Sequence, residues 1–192
     1  MKASRFIFVG LILTLPLGLQ AQKDSVKGWE VSTAFLFGSA NNVGDAGLML
    51  INNYEYYFHP NISVAAQLAF FHSFVTVSNY PGDPYTWINT FDAFTTGIYL
   101  NHTARFNGNR NFVKFSAGPA YFHSVSYDGY LAPYHRAEVD YDFANRLGFG
   151  LMLEGGGKIS DRLSLGLLLN VDSYYIFGDI TVLGVNAHFN LR

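Results

Sequence analysis

Hydrophobic and polar residues alternate with a period of two along most of this chain, most clearly near its end. From Leu163 to Asp172 the odd positions read Leu163, Leu165, Leu167, Leu169, Val171, and the even ones Ser164, Gly166, Leu168, Asn170, Asp172. From Leu183 to Arg192 the odd positions are Leu183, Val185, Ala187, Phe189, Leu191, against Gly184, Asn186, His188, Asn190, Arg192. Successive side chains of a strand point to opposite faces, so each stretch predicts a strand with one apolar face and one small or polar face. The same reading gives strands over 28–38, 46–58, 62–75, 92–104, 112–125 and 146–157, which brings the count to eight. Within 112–125, Phe122 and His123 interrupt the alternation, and Pro119, which has no N–H for a ladder, predicts a bulge or local break. Alternation does not by itself say which face is the interior.

The connections add topology. Phe58 to Asn61 with His59-Pro60, Phe106 to Asn111 with Asn107-Gly108-Asn109, and Lys158 to Arg162 are short and rich in turn formers. Between them lie longer stretches, Ser78 to Thr90 and Tyr127 to Asn145, expected to be loops, and two shorter ones, Ser39 to Asp45 and Tyr174 to Asp179. Short turns at one end and longer loops at the other, with an even strand number, place both termini at the short-turn end. Aromatics gather near the strand ends: Trp29, Tyr54, Tyr56 and Phe58 toward one rim, and Phe70, Phe74, Tyr80, Tyr85, Trp87, Tyr127, Tyr174, Tyr175 and Phe177 toward the other. Rings with one apolar and one wet end suit a membrane interface.

Composition turns this strand pattern into a membrane expectation. Only 14% of the residues are charged and 17% are aromatic, against about 25% charged in a typical globular domain. After residue 21 no apolar run approaches the roughly 18 residues of a helical span. A closed barrel is the other structure that satisfies every peptide group in lipid. The fold class is therefore all-β, an eight-stranded antiparallel up-and-down transmembrane β-barrel over 28–192. Residues 1–21 carry Lys2 and Arg5, then an apolar run from Phe6 to Leu19, and end on the small residue Ala21, the form of a cleaved signal peptide. Residues 22–27 become a short periplasmic segment, and the termini are expected in the periplasm. Without Lys2 and Arg5 the chain keeps 10 basic residues against 14 acidic ones, near −4, and shows no basic run, so nucleic acid is not an expected partner. The absence of cysteine excludes disulfides, thiolate metal sites and a lipidated cysteine.

With these strands in place, chiefly Leu163 to Val171 and Gly184 to Arg192, the chain resembles the small bacterial outer-membrane barrels of the OmpA and OmpX type, including those of the Bacteroidetes. The resemblance covers 28–192 and implies residence in the outer membrane, contact with its lipid and lipopolysaccharide, and handling by the barrel-assembly machinery. Members of that family usually finish on an aromatic residue; here the end reads Phe189-Asn190-Leu191-Arg192, so the aromatic is displaced inward.

An eight-stranded barrel is just wide enough to be filled by its own side chains. Glu30, Glu55, Gln67, Lys114, Glu154, Asn170, Asp172, Asn186 and His188 fall on the less apolar faces and are expected to pair across the lumen as a structural polar core, with an ion gate as the sharper alternative. No catalytic, cofactor-binding or metal residue is assigned. His72-Ser73 and His123-Ser124 lack the two-residue spacing that puts a base and a hydroxyl on one face of a strand. His59, His72, His102, His123, His135 and His188 are scattered without zinc spacing, and Glu138, Asp140 and Asp142 lack the glycine and distal glutamate of a calcium loop. Glu154-Gly155-Gly156-Gly157-Lys158 lacks the residues of a phosphate loop. The expected role is non-enzymatic, structural or surface-interacting, with a possible extracellular partner at 78–90 and 127–145. The alternatives are a lipid A-modifying enzyme and a soluble periplasmic lipocalin-like barrel.

Cleavage after Ala21 predicts a mature chain that begins at Gln22. The intact mass of the protein recovered from the cell envelope checks this; an N-terminus retaining Met1 would make the segment an anchor.

Overall fold

The computed structural model describes residues 28–40, 45–74, 76–79, 86–131, 138–174 and 179–191, so the expected signal peptide, residues 22–27, His135, Tyr80, Tyr85, Tyr175, Phe177 and Arg192 lie outside the described residues. The strands are β1 Gly28–Ala40, β2 Asp45–His59, β3 Ile62–Ser73, β4 Thr76–Asn79, β5 Thr86–Phe106, β6 Asn111–Leu131, β7 Glu138–Lys158, β8 Leu163–Ser173 and β9 Asp179–Asn190. All pairings are antiparallel, and β1–β9 and β3–β5 pairings close the ring. β3 and β4 are two parts of one barrel strand: both pair with β5, and between His72↔Asp92 and Thr76↔Asn89 four steps on one side face three on the other, a bulge. The molecule is a closed eight-stranded antiparallel β-barrel.

The stagger of this ring follows from its registers. The pairs run from Gly38 to Val182, Asn170, Met152, Ser116, Asn101, Ser63 and Tyr57, and close on Gly28, ten residues before the start. Ten residues of stagger over eight strands tilt each strand by about 40° from the axis and leave a bore that side chains fill.

The three short connections are turns, as their residues predict. Asn107, Gly108 and Asn109 all have positive φ, at 53°, 64° and 65°, the region that Gly and Asn tolerate best. The turns, Gly28 and Leu191 share one rim and are stitched together there. Lys158 N–H donates to Arg110 C=O at 2.7 Å, Thr103 N–H to Asn61 C=O at 2.8 Å, and Leu191 N–H to Trp29 C=O at 3.1 Å.

Three sequence expectations change. The stretches 78–90 and 127–145 are largely strand: β5, β6 and β7 are each 21 residues long, so 80–85 lies between β4 and β5, and 132–137 between β6 and β7. The last β7–β8 pair is Phe149↔Ser173, whereas β6 and β7 stay paired out to Tyr130↔Glu138, so β4 to β7 project past the rim as a sheet. Ile88, Thr90, Val125, Tyr127, Tyr141 and Phe143 are strand formers. Past the closed part of the barrel the sheet has no enclosed face, so the apolar/polar contrast that marks a strand in sequence fades there. Second, the alternation does not break at Phe122 and His123: Phe122 is buried in the lumen and His123 faces outward. Third, of the two outcomes expected at Pro119 the local break is the one found and the bulge is not: the β5–β6 ladder skips from Gly97↔Ala120 to Leu100↔Ala117 and resumes in the same register.

The faces are inverted relative to a soluble barrel. Leu147 is 77% exposed and Phe35 72%, and with Leu167, Ile98, Leu183 and Phe115 they form an apolar outer wall, while Glu55, Gln67, Lys114, Asp172 and His188 are buried inside. The lumen has two zones. Toward the turn rim it is polar and charged. Toward the other rim Leu36, Met49, Ile51, Ile180 and Val182 surround a chain of rings, with Phe71 to Phe91 and Phe91 to Phe122 each at 6.0 Å and Phe122 stacked on Tyr174 at 4.3 Å. Tyr174 is thus a lumen residue rather than part of a rim girdle. Glycines on the inner face make room for these rings: a Cβ on Gly150 would overlap the Tyr99 hydroxyl and come within 2.6 Å of Asp172 Oδ1, whereas Gly155 opens onto free space on the outer face.

Gly150→Val is therefore expected to lower stability by about 1–3 kcal/mol through overpacking, and Gly155→Val to change it by no more than about 0.5 kcal/mol. Guanidinium unfolding midpoints in detergent micelles compare the two; equal effects would contradict the assignment of the inner face.

Candidate functional site

The densest chemistry in the molecule is the charged zone of the lumen, and strand alternation builds it. Glu30 on β1, Glu55 on β2, Ser63 on β3, Asn101 on β5, Lys114 on β6, Glu154 on β7, and Asn186 and His188 on β9 all occupy inward positions. Lys114 Nζ stands at the centre. It donates to Glu55 Oε2 at 2.6 Å and to Glu30 Oε1 at 3.2 Å, and it lies 5.8 Å from the centroid of the Tyr57 ring. Glu55 Oε1 also accepts from Asn101 Nδ2 at 2.9 Å and from Ser63 Oγ. His188 links the other carboxylates: Nδ1 is 2.6 Å from Glu30 Oε1 and Nε2 contacts Glu154 Oε1. Both ring nitrogens face carboxylate oxygens, an arrangement that a ring protonated on both nitrogens satisfies. Asn186 Nδ2 donates to Glu154 Oε2 at 3.2 Å, and the Phe112 ring meets His188 edge-on at 5.5 Å.

Glu55, Asn101, Lys114, Glu154 and His188, with Ser32 and Asn53, line a hollow of about 10 Å³, room for roughly one water molecule. The ligand atoms of Glu30, Glu55 and His188 lie within 4.8 Å of one another, close enough to hold a cation. That position is served by an internal cation, because the Lys114 ammonium already bonds both carboxylates. Farther along the lumen Asp172 accepts from Asn170 Nδ2 at 3.0 Å and from the Tyr99 hydroxyl at 3.3 Å.

All nine residues expected inside are there; Glu30 is the least enclosed of them. What the sequence did not reveal is who pairs with whom, nor the roles of Ser63, Asn101 and Tyr99. Their inward parity was the available signal.

The other candidates are not brought together. His72 lies on the outer wall with Nδ1 2.5 Å from Asp92 Oδ1, while Ser73 points inside, where its Oγ accepts from Phe91 N–H at 2.6 Å. His123 faces outward, 2.7 Å from Asn145 Oδ1, which also accepts from the Tyr121 hydroxyl at 2.8 Å, while Ser124 is buried. His59 and His102 are exposed at other places on the wall. Asp140 and Asp142 share one exposed face of the projecting sheet. On that sheet, burial and then the Asp92 and Tyr141 charges push the Tyr127 phenol above its ordinary value. Of the glycine-rich run, Glu154 belongs to the lumen network and Lys158 pairs with Asp161 at 3.1 Å on the turn rim.

Lys114→Met leaves two buried carboxylates without their cation and is expected to cost about 3–5 kcal/mol. Adding Glu55→Gln to it should recover part of that loss, since one uncompensated charge is removed. Guanidinium midpoints of the single and double variants test the coupling; strictly additive losses would mean that the pair does not act as drawn.

No family model matches the chain, and no curated protein matches it in sequence. Solved structures do. A major outer membrane protein from Thermus thermophilus is similar with a TM-score of 0.55 at 14% identity, over 84% of this chain and 99% of that one. Neisserial surface protein A gives 0.53 at 11% identity, over 86% and 97%. The N-terminal β-barrel domain of Pseudomonas aeruginosa OprF gives 0.52 at 9% identity, over 84% and 96%. At such identities the likeness establishes architecture. The chain has the fold of the small eight-stranded outer-membrane barrels of the OmpA and OmpX type.

Proposed function

We propose that this chain is an integral outer-membrane protein, exported by residues 1–21, that serves a structural or surface-interaction role and performs no reaction of its own. One observation carries the reading: the apolar side chains face outward around the ring while the charges pair inside it. Only a hydrocarbon surround makes that inversion favourable, because in water the exposed wall would drive aggregation. The outward apolar positions on β1 run from Trp29 to Phe37 and on β8 from Leu163 to Val171, enough for the roughly 25 Å band of such barrels.

The lumen supports a structural reading over a channel. Its charges are mutually bonded, and the Phe71, Phe91, Phe122 and Tyr174 rings fill the bore beyond them. The short-turn rim then sits in the periplasm and the β4–β7 sheet extends outside the cell, where Tyr127, Tyr141 and Phe143 suit recognition of a partner. The proposed surface stays within 127–145 but is presented by the walls of a sheet rather than by a loop.

Detergent-extracted protein run unheated and boiled on a denaturing gel should migrate as two distinct bands, and the protein should stay with the membrane fraction after osmotic release. Recovery in the soluble fraction would favour the lipocalin-like reading instead. The acyl composition of lipid A should be the same with and without the protein; a lost or gained chain would overturn the non-enzymatic reading.

A further inference from the structure

The outer wall is apolar through the middle of its height except on one side. Outward positions on β1 run Trp29, Val31, Thr33, Phe35, Phe37, and on β2 Phe58, Tyr56, Tyr54, Asn52, Leu50, Leu48. Thr33 and Asn52 therefore stand in the middle of the band, and they are register partners. Around them the corresponding depth presents Leu68 on β3 and Val185 on β9, and farther round the ring Ile98, Leu100, Phe115, Ala117, Leu151, Leu153 and Leu167, with Thr96, the register partner of Leu68, also facing outward. Thr33 donates its hydroxyl to Asn52 Oδ1 at 2.9 Å. That bond engages one lone pair of the amide oxygen. The two amide N–H donors of Asn52 have no partner among the described residues. In water they would be hydrated; in the centre of a bilayer an unpaired amide is costly. Two of the neighbouring outward positions are small, Ala187 as the register partner of Thr33 and Ala66 as that of Tyr54, while Asn52 itself is paired with Leu68.

We propose that this face, formed by β9, β1, β2 and β3 and centred on Asn52, is where two copies of this chain associate side by side within the membrane. The proposal rests on reading the chain as a membrane barrel. A second copy fits because a carboxamide is self-complementary: each Asn52 brings donors and a remaining acceptor lone pair, so a two-fold axis through the face lets each amide donate to the other. Lipid tails have no acceptor at this depth, and ester carbonyls and headgroups lie at the ends of the band. Ala187 and Ala66 let the two walls approach closely, as small residues do between membrane segments.

The test uses the full mature chain reconstituted in phosphatidylcholine vesicles, with energy transfer between donor- and acceptor-labelled copies followed as lipid is added. The native protein should keep its transfer on dilution, and Asn52→Leu should associate about tenfold more weakly while retaining its unheated gel band. A native protein whose transfer falls to that of randomly mixed monomers overturns the proposal, and so does undiminished association of Asn52→Leu. The chain has no native cysteine, so single cysteines give a second measurement with Asn52 intact. Oxidation should cross-link Leu50→Cys into a dimer and leave Leu151→Cys, on another face, monomeric; equal cross-linking of both overturns the assignment. A chain that never inserts into the vesicles defeats the membrane reading, whereas an inserted monomer defeats only this inference.

Discussion

In hydrocarbon a peptide N–H or C=O has no water to bond, so every strand in the band needs a hydrogen-bonded neighbour on both sides. The β1–β9 ladder, which joins the first strand to the last from Glu30↔Asn190 to Ala40↔Ile180, completes that condition. The rest of the molecule follows from closing the ring. Eight strands with a ten-residue stagger leave a bore that only side chains can fill, and lipid already solvates the outer wall. Polar residues that the chain carries through the band are thus sent inward. Once inside, a charge is too far from bulk water to be left uncompensated, so Lys114 lies between Glu30 and Glu55, and His188 between Glu30 and Glu154.

The two zones of the lumen show how the filling is divided. All the lumen charges but Asp172 occupy the half near the short turns, where Glu30 is partly open to the rim. The other half is closed by packing, and packing of large rings in a narrow tube needs complementary vacancies. Gly148 lies against the Tyr174 ring, Gly150 under the Tyr99 hydroxyl and Gly47 against the Phe71 ring, so these three large inward side chains are each matched to a residue without one. Glycines that read in the sequence as merely small members of a strand face are the sockets of the aromatic layer.

Strand number, closure and the inward assignment of nine polar residues were legible because they depend on parity, which a sequence displays directly. Leu163 to Val171 and Leu183 to Leu191 alternate so regularly that no other element accommodates them. The partnerships were not legible, for a physical reason. Lys114 and Glu55 are 59 residues apart, and Lys114 and Glu30 are 84 apart; whether they meet depends on the stagger accumulated over the strands between them, which no local window contains. Phe122 looked like a fault in the alternation because an inward aromatic is unexpected until the apolar half of the lumen is known. The ends of β5, β6 and β7 were hidden for the opposite reason: past the closed part of the barrel the sheet has no enclosed face, and the contrast that marks a strand disappears while its hydrogen bonds continue.

The low charge content of the chain now has a mechanical meaning. A bilayer excludes charge from the outer wall of the band, which leaves three places for it. The lumen holds a bonded set, the turn rim carries Arg105, Arg110, Lys158 and Arg162, and the opposite end displays Asp92, Asp140 and Asp142. The division is one of predominance, since Asp161 stands on the turn rim bonded to Lys158 and Arg146 lies on the projecting sheet. The rim with the basic residues is the one where hydrogen bonds stitch the turns to one another and to both ends of the barrel, so it is rigid, while the acidic end belongs to a sheet that is paired only through its own strands beyond the band. A hydrogen-bonded rim at one end and a projecting, separately paired sheet at the other fit the proposed reading of a barrel held in lipid with its contact surface outside it.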